Sequence, residues 1–197
     1  MLRCLQRESH PVNPSTIRSL PPRQRWTYAD YCRIPADGKR HEILAGRHFV
    51  NPAPSPYHQF VSARLHHQLM LQVADQGRGT VLAAPIDLHL GRQNIVQPDL
   101  VVVPKRTRCV PGARKLTDLP CLLVEILSPR TRKLDQQRKR DCYERAGVRE
   151  FWLVDPEARE VQQLVLRNGR YLPPIVATEC LPMRALRGVT VDLRKVW

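Results

Sequence analysis

Several things are scarce or missing in this sequence, and each shortage narrows what it can be. There is no run of roughly 18 apolar residues, so no segment can cross a membrane as a helix. The opening stretch, "MLRCLQRESHPVNPSTIRSLPPRQR", has no apolar core of the kind an export signal needs, and a cytoplasmic location is expected. The cysteines Cys4, Cys32, Cys109, Cys121, Cys142 and Cys180 form no C-x-x-C pair, which argues against a zinc knuckle. Their scatter reads as reduced thiols, several of them facing a core. Aromatic residues make up only 6%, too few to suggest stacking on sugar rings, so a glycoside hydrolase built on paired carboxylates is disfavoured. No internal repeat or low-complexity tract is present. Lysine is rare as well: six of the 32 basic residues, with arginine supplying the rest.

What the chain does have is positive charge, +14 over 197 residues. A polyanionic partner follows from that excess, because neutralising phosphates releases counterions. A solvated, arginine-rich surface with no such partner is the alternative. The length suits one domain, and 42% hydrophobic residues suffice for a core. Residues 1–24, rich in Pro, Arg and Ser and without periodicity, are expected to be a basic tail. The folded domain is expected over 25–197.

The patterning predicts a mixed α/β chain. "WTYADYCRIP" reads as a short helix capped by Thr27 and stopped by Pro35. "KRHEILAGRHFVNPAP" reads as a hairpin around Ala45-Gly46. Residues 55–77 give the clearest helix, with Ser55 as cap, Pro56 in the first turn, and Phe60, Val61, Leu65, Leu69 and Val73 as its apolar stripe. Strands are expected at 79–91, 94–104, 121–127 and 150–156, and a loop at 110–120. A helix within about 132–146 should end at Gly147. A hairpin turning at Asn168-Gly169 and a last strand from Gly188 close the chain. The result is a central mixed β-sheet flanked by α-helices, with its most apolar strands in the middle.

Two acids stand out on those apolar strands. Asp99 precedes "LVVV", and Glu125 sits inside "LLVEIL". If the two strands are neighbours, both carboxylates meet at one end of the sheet. Such a pair suits Mg²⁺, which takes oxygen ligands and lets buried acids stay ionised. The plainer readings are a buried salt bridge to an arginine for Glu125 and a turn residue after Pro98 for Asp99. Asp135, Lys139 and Tyr143 recur at i, i+4 and i+8 and share one helix face. Lys139 there can orient a water or offset phosphate charge. The plainer reading is a surface Asp–Lys pair, with Tyr143 packed on the sheet. Arg130, Arg132, Lys133, Arg138 and Arg140 lie beside the candidate site as a phosphate track or a solvated helix face.

"VQPDLVVVP" followed by "VEILSPRTRKLDQQRKRDCYERAGVREFWLVDP" resembles the Uma-type putative restriction endonuclease family, a branch of the PD-(D/E)XK nucleases. The resemblance runs from about Tyr28 to the C-terminus and includes "HEILAGRHFVNPAPSPYHQFVSARLHHQL". It implies a restriction-endonuclease-like core with helices on both sides of the sheet. It also implies a metal-dependent phosphodiesterase using Mg²⁺ or Mn²⁺. Asp99 and Glu125 match the family's two main acids, and Glu42 resembles an additional acid near the metal. The superfamily's usual lysine position is Leu127 here. Lys139 resembles a catalytic lysine migrated to the helix. Asp135 and Tyr143 would then be positioning residues, and His58 would touch a phosphate, support the site or simply sit in a helix cap. The implied function is cleavage of double-stranded DNA by a metal-activated water, with a homodimer favoured if both strands are cut. The alternative, motivated by Leu127, is a nuclease fold that binds nucleic acid without cleaving it.

Overall fold

The computed structural model of the protein describes residues 25–105, 115–128 and 134–197, with 134–136 described by backbone alone. The expected tail, and Arg130, Arg132 and Lys133 of the expected basic track, lie outside the described residues. Among the described residues no helix is long and apolar enough to cross a membrane.

The short helix α1 (Tyr28–Tyr31) opens with a capping box between Thr27 and Asp30. Strands β1 (Arg40–Leu44) and β2 (Arg47–Asn51) form the expected hairpin. Helix α2 (Pro56–Leu69) starts at Ser55, whose hydroxyl accepts the His58 N–H, and runs on as a π-helical turn over Met70–Ala74. Val61, Leu65, Leu69 and Val73 are fully buried. Each contributes roughly 1.5–3 kcal/mol by leaving water. Phe60 departs from the expected stripe: it is 42% exposed, one residue and so about 100° around the helix from Val61.

The two long strands expected over 79–91 and 94–104 each split in two. The first gives β3 (Gly79–Ala83) and β4 (Leu88–His89); the second gives β5 (Ile95–Val96) and β6 (Leu100–Pro104). Pro85 and Pro98 lie in the breaks, where a residue without an N–H cannot continue a ladder. Then follow β7 (Leu122–Ile126), a π-helical turn over Leu134–Lys139 leading into α3 (Arg140–Ala146), and β8 (Glu150–Asp155). Gly147, at φ +83°, ends α3 in the left-handed conformation that favours glycine, as expected. Strands β9 (Glu160–Arg167) and β10 (Arg170–Tyr171) turn at Asn168-Gly169, both with positive φ. Two strands not anticipated, β11 (Ile175–Ala177) and β12 (Cys180–Pro182), precede β13 (Thr190–Asp192). The expected last strand is confined to β13, and a 3₁₀ turn takes over at Leu193–Lys195.

The central sheet has the order β10-β9-β8-β7-β6-β3, with β11 also on β9. The β7–β8 pair is parallel, joined through α3, and the other pairs are antiparallel. A second sheet, β2-β1-β5-β4, stands beside it. Because side chains alternate along a strand, the central sheet has two apolar faces. Leu100, Val102, Leu122, Val124 and Trp152 pack with α2 on one face; Val101, Val103, Leu123 and Phe151 pack with Cys142 and Tyr143 of α3 on the other. This is the mixed sheet with helices on both sides that the sequence implied. Cys121 and Cys142 are buried free thiols, pushed up by burial to about 11 and about 12, whereas Cys32 and Cys180 are exposed.

Polar side chains fasten the C-terminal ribbon. Gln68 of α2 and Gln72 of the π-helical turn after it each exchange two hydrogen bonds with the β13 backbone, at Asp192 and Thr190. These bonds cover an edge that would otherwise stand open. Glu150, fully buried, accepts N–H groups from Trp152, Gln163 and Ala185, all at 2.6 Å. Burial pushes its carboxyl up further than those donors pull it down. A carboxyl raised in this way adds stability below its unfolded value of about 4.3, and loses it as pH climbs through the folded value. Glu150→Gln removes that titration and turns one acceptor into a donor facing a donor, at a cost of about 1–3 kcal/mol. Urea unfolding should put the wild type ahead by that margin near pH 4, with the margin narrowing as pH rises; a margin that widens with pH would contradict the assignment.

Candidate active site

Three buried carboxylates gather where the chain passes between the two sheets. Glu42 comes from β1, Asp99 from the step between β5 and β6, and Glu125 from β7; they are 0%, 5% and 2% exposed. Strands β6 and β7 are antiparallel with Leu100 opposite Val124, so continuing that register sets Asp99 opposite Glu125. The expectation that both acids meet at one sheet end therefore holds in register.

Each carboxylate is fixed by named donors. Glu42 accepts the Gln97 backbone N–H at 2.6 Å and the Asn51 amide at 2.5 Å. Asp99 accepts the Ile126 N–H at 2.8 Å, and its oxygens face Arg40 Nη1 and His58 Nε2, both at 3.2 Å. Glu125 accepts the Tyr143 hydroxyl at 2.6 Å. Lys139, 2% exposed, joins two of the acids: its Nζ stands 3.0 Å from Glu42 Oε1 and 2.9 Å from each oxygen of Glu125.

A shared helix face explains the last two contacts. Lys139 ends the π-helical turn and Tyr143 follows four residues on, so both reach the same strand. Of the plainer reading, Tyr143 does pack on the sheet, whereas Lys139 is buried against Glu42 and Glu125 and not on the surface. Among the described residues, Glu125 pairs with Lys139, and Asp99 pairs with Arg40. His58, in the first turn of α2, faces Asp99. Asp135 lies in the first turn of the same helical segment, and its side chain is outside the described residues.

The electrostatics follow from this crowding. Burial pushes the Asp99 carboxyl up, but the hydrogen bond and charge of His58, the Arg40 charge and the Ile126 N–H outweigh it and hold it below the ordinary value. Burial likewise pulls His58 down, and Asp99 more than restores it, favouring the imidazolium. Burial and the charges of Glu125 and Glu42 drive the Tyr143 hydroxyl well above its ordinary value, so it remains a neutral donor.

A groove of about 880 Å³ runs beside the cluster, lined by Lys39, Arg40, Phe49, Asn51 and Arg138 among others. Arg40 and Asn51 link it to Asp99 and Glu42. Arg138 lies over the Phe49 ring, 5.2 Å from its centre. Of the expected basic track, Arg138 lines this groove and Arg140, half-buried at the start of α3, does not. Arg40, Asn51 and Gln97 went unnoticed in the sequence, because single polar residues at strand ends carry no pattern. The one available signal was Arg40 and Gln97 lying two residues before Glu42 and Asp99.

The donor set suits a hard divalent ion in kind, since it offers carboxylate oxygens. Yet among the described residues no group of three or more His, Cys, Asp or Glu side chains is arranged to hold a metal ion. Each of the three acids is turned to a cation of the chain itself.

A family model described as Uma2, putative restriction endonuclease, matches residues 28–194. Among solved structures, the chain is similar to one described as a putative nuclease belonging to DUF820 from Anabaena variabilis ATCC 29413. That match has a TM-score of 0.73 at 16% identity and covers 87% of this chain and 97% of the other. At this identity the likeness speaks for the fold alone. None of the curated proteins matches the sequence.

Tyr143→Phe tests whether Glu125 depends on its hydroxyl donor. The ring keeps its edge contact with Phe151, at 5.0 Å between centres, and only the O–H is lost. A hydrogen bond to a charged group is worth about 1.5–3 kcal/mol, and urea unfolding should show a loss of that size. A loss within a few tenths of a kcal/mol would mean the bond holds nothing.

Proposed function

Since this chain belongs to the Uma2 putative restriction endonuclease family, we propose that it is a divalent-ion-dependent nuclease that hydrolyses phosphodiester bonds in double-stranded DNA. The observation that carries the reading is the convergence of Glu42, Asp99 and Glu125 around buried cations, beside a groove with Lys39, Arg40 and Arg138 on its walls. Glu42, Asp99 and Glu125 would hold Mg²⁺ or Mn²⁺. When bound, such an ion supplies a water of lowered pKa and positive charge for the phosphate.

The remaining roles belong to the chain. Gln97 and Asn51 hold Glu42, the Ile126 N–H holds Asp99, and Tyr143 holds Glu125, so the acids are aimed before any ligand arrives. His58 and Arg40 keep Asp99 ionised. Lys139 brings a positive charge that offsets the anion at phosphorus or orients the attacking water. Lys39, Arg40 and Arg138 position the backbone without reading bases, as phosphate contacts do.

A second reading rests on one observation: Lys139 stands between Glu42 and Glu125, and the acids form no open metal cluster among the described residues. On that reading the protein binds nucleic acid and does not cut it. Supercoiled plasmid separates the two. The nuclease reading expects nicking with Mg²⁺, none with EDTA, and at least a ~100-fold loss in Asp99→Asn and Glu125→Gln, in line with removing transition-state stabilisation of about 2.7 kcal/mol or more. Equal nicking by all three proteins would sink it, and salt-sensitive binding without nicking would select the second reading. Under either, Arg138→Ala should weaken DNA binding about equally across sequences and lower the salt slope by about 1.

A further inference from the structure

We propose that Lys139 is a resident competitor for the divalent ion: its ammonium keeps the place between Glu42 and Glu125, and loading the ion expels it into the groove. The inference rests on the reading of these acids as ion ligands. It goes beyond that reading by making lysine release a step of ion binding.

Lone-pair counting leads to it. A carboxylate offers about four acceptor positions. Glu125 gives both oxygens to Lys139, at 2.9 Å each, and one of them to Tyr143 as well. Glu42 Oε1 is shared between Lys139 and the Gln97 N–H, while Oε2 takes Asn51. An ion sitting about 2.0–2.1 Å from oxygens of both glutamates would occupy directions now pointing at Nζ. Two cations cannot share that space when almost no water screens them, with Lys139 2%, Glu42 0% and Glu125 2% exposed.

Charge balance gives the same result. Three carboxylates already face Lys139, Arg40 and His58. Among these described charges, a divalent ion added with no cation lost would leave two buried positive charges in excess, and releasing Lys139 lowers that to one. Arg40 is fixed at both ends, to Asp99 and to the Gln97 carbonyl, and His58 sits on a capped helix turn. Lys139 has a flexible four-carbon stem and lies where a π-helical turn meets α3, next to Arg138 on the groove wall. It is the cation best able to leave.

The test reads ion binding and lysine exposure, not cleavage. The wild-type protein is acetylated briefly with and without saturating Mg²⁺, and labelling at each lysine is read by mass spectrometry. Lys139 should be protected without the ion and label at least ~5-fold faster with it, while the exposed Lys39 and Lys195 stay unchanged. In parallel, calorimetry with Mg²⁺ should give Lys139→Met an affinity at least ~10-fold above wild type. If Mg²⁺ binds but Lys139 labelling does not change, or if the two affinities agree, the exchange is wrong and the ion site survives. If neither protein binds Mg²⁺, the reading of the acids as ion ligands falls, and the exchange with it. Should Lys139→Met fail to fold, the wild-type labelling decides alone.

Discussion

An ammonium shut between two glutamates is the contact on which the rest of this site depends. Removing two or three charges from water costs several kcal/mol each, and only close pairing makes up for it. Lys139 provides that pairing for Glu42 and Glu125, which come from different sheets and are 83 residues apart in the chain (125 − 42). Taking one partner away from such a pair typically costs about 3–5 kcal/mol, because the other charge stays buried alone. The lysine is therefore a structural tie between the two sheets as well as a chemical group, and any function of the site must work within that constraint.

The tie reaches outward through ordinary secondary structure. Glu42 is held at the seam by the Gln97 N–H, and Gln97 lies just before Pro98, where the ladder breaks and the chain changes sheets. That break frees Asp99, just before the first paired residue of β6, to take the Ile126 N–H. On the far side, Gly147 stops α3 and turns the chain into β8, which pairs in parallel with β7. The helix carrying Lys139 and Tyr143 is thus the crossover between two parallel strands, a connection that must lie over one face of the sheet. Glu125 points to that face, with Leu123 and Leu127 on either side of it.

Much of this was legible in the sequence for reasons that can be stated. Asp99 and Glu125 stood out because a charge in an apolar strand demands a partner. Lys139 and Tyr143 were singled out by their four-residue spacing, and the helix ends by Ser55 and Gly147. What escaped notice depends on long-range choices. Nothing local in "GTVLAAPIDLHLG" says that its two halves join different sheets; only Pro85 hints at a break. Phe60 counts as apolar in any periodic reading, yet it faces solvent with Arg64 over its ring. Arg40 is indistinguishable in sequence from the many other arginines, and its role appears only when Asp99 arrives beside it from 59 residues away.

Leu127 shows why a lysine on the helix is workable. It occupies the strand position two residues after Glu125, where the superfamily pattern resembled here places lysine. It is 5% exposed in the apolar cluster with Leu123 and Val148, and its N–H bonds to the Val154 carbonyl at 2.8 Å. A lysine there would need a path from this cluster to Glu125 and would forfeit a packed side chain. From the helix, Lys139 approaches Glu125 from above the sheet and reaches Glu42 in the same span. A strand lysine would leave the sheet on the same face but be anchored to β7 itself, with no link to the crossover. Moving the charge to the helix couples the two acids to the connection between β7 and β8, so a shift of that helical turn is felt at Glu42 and Glu125 together.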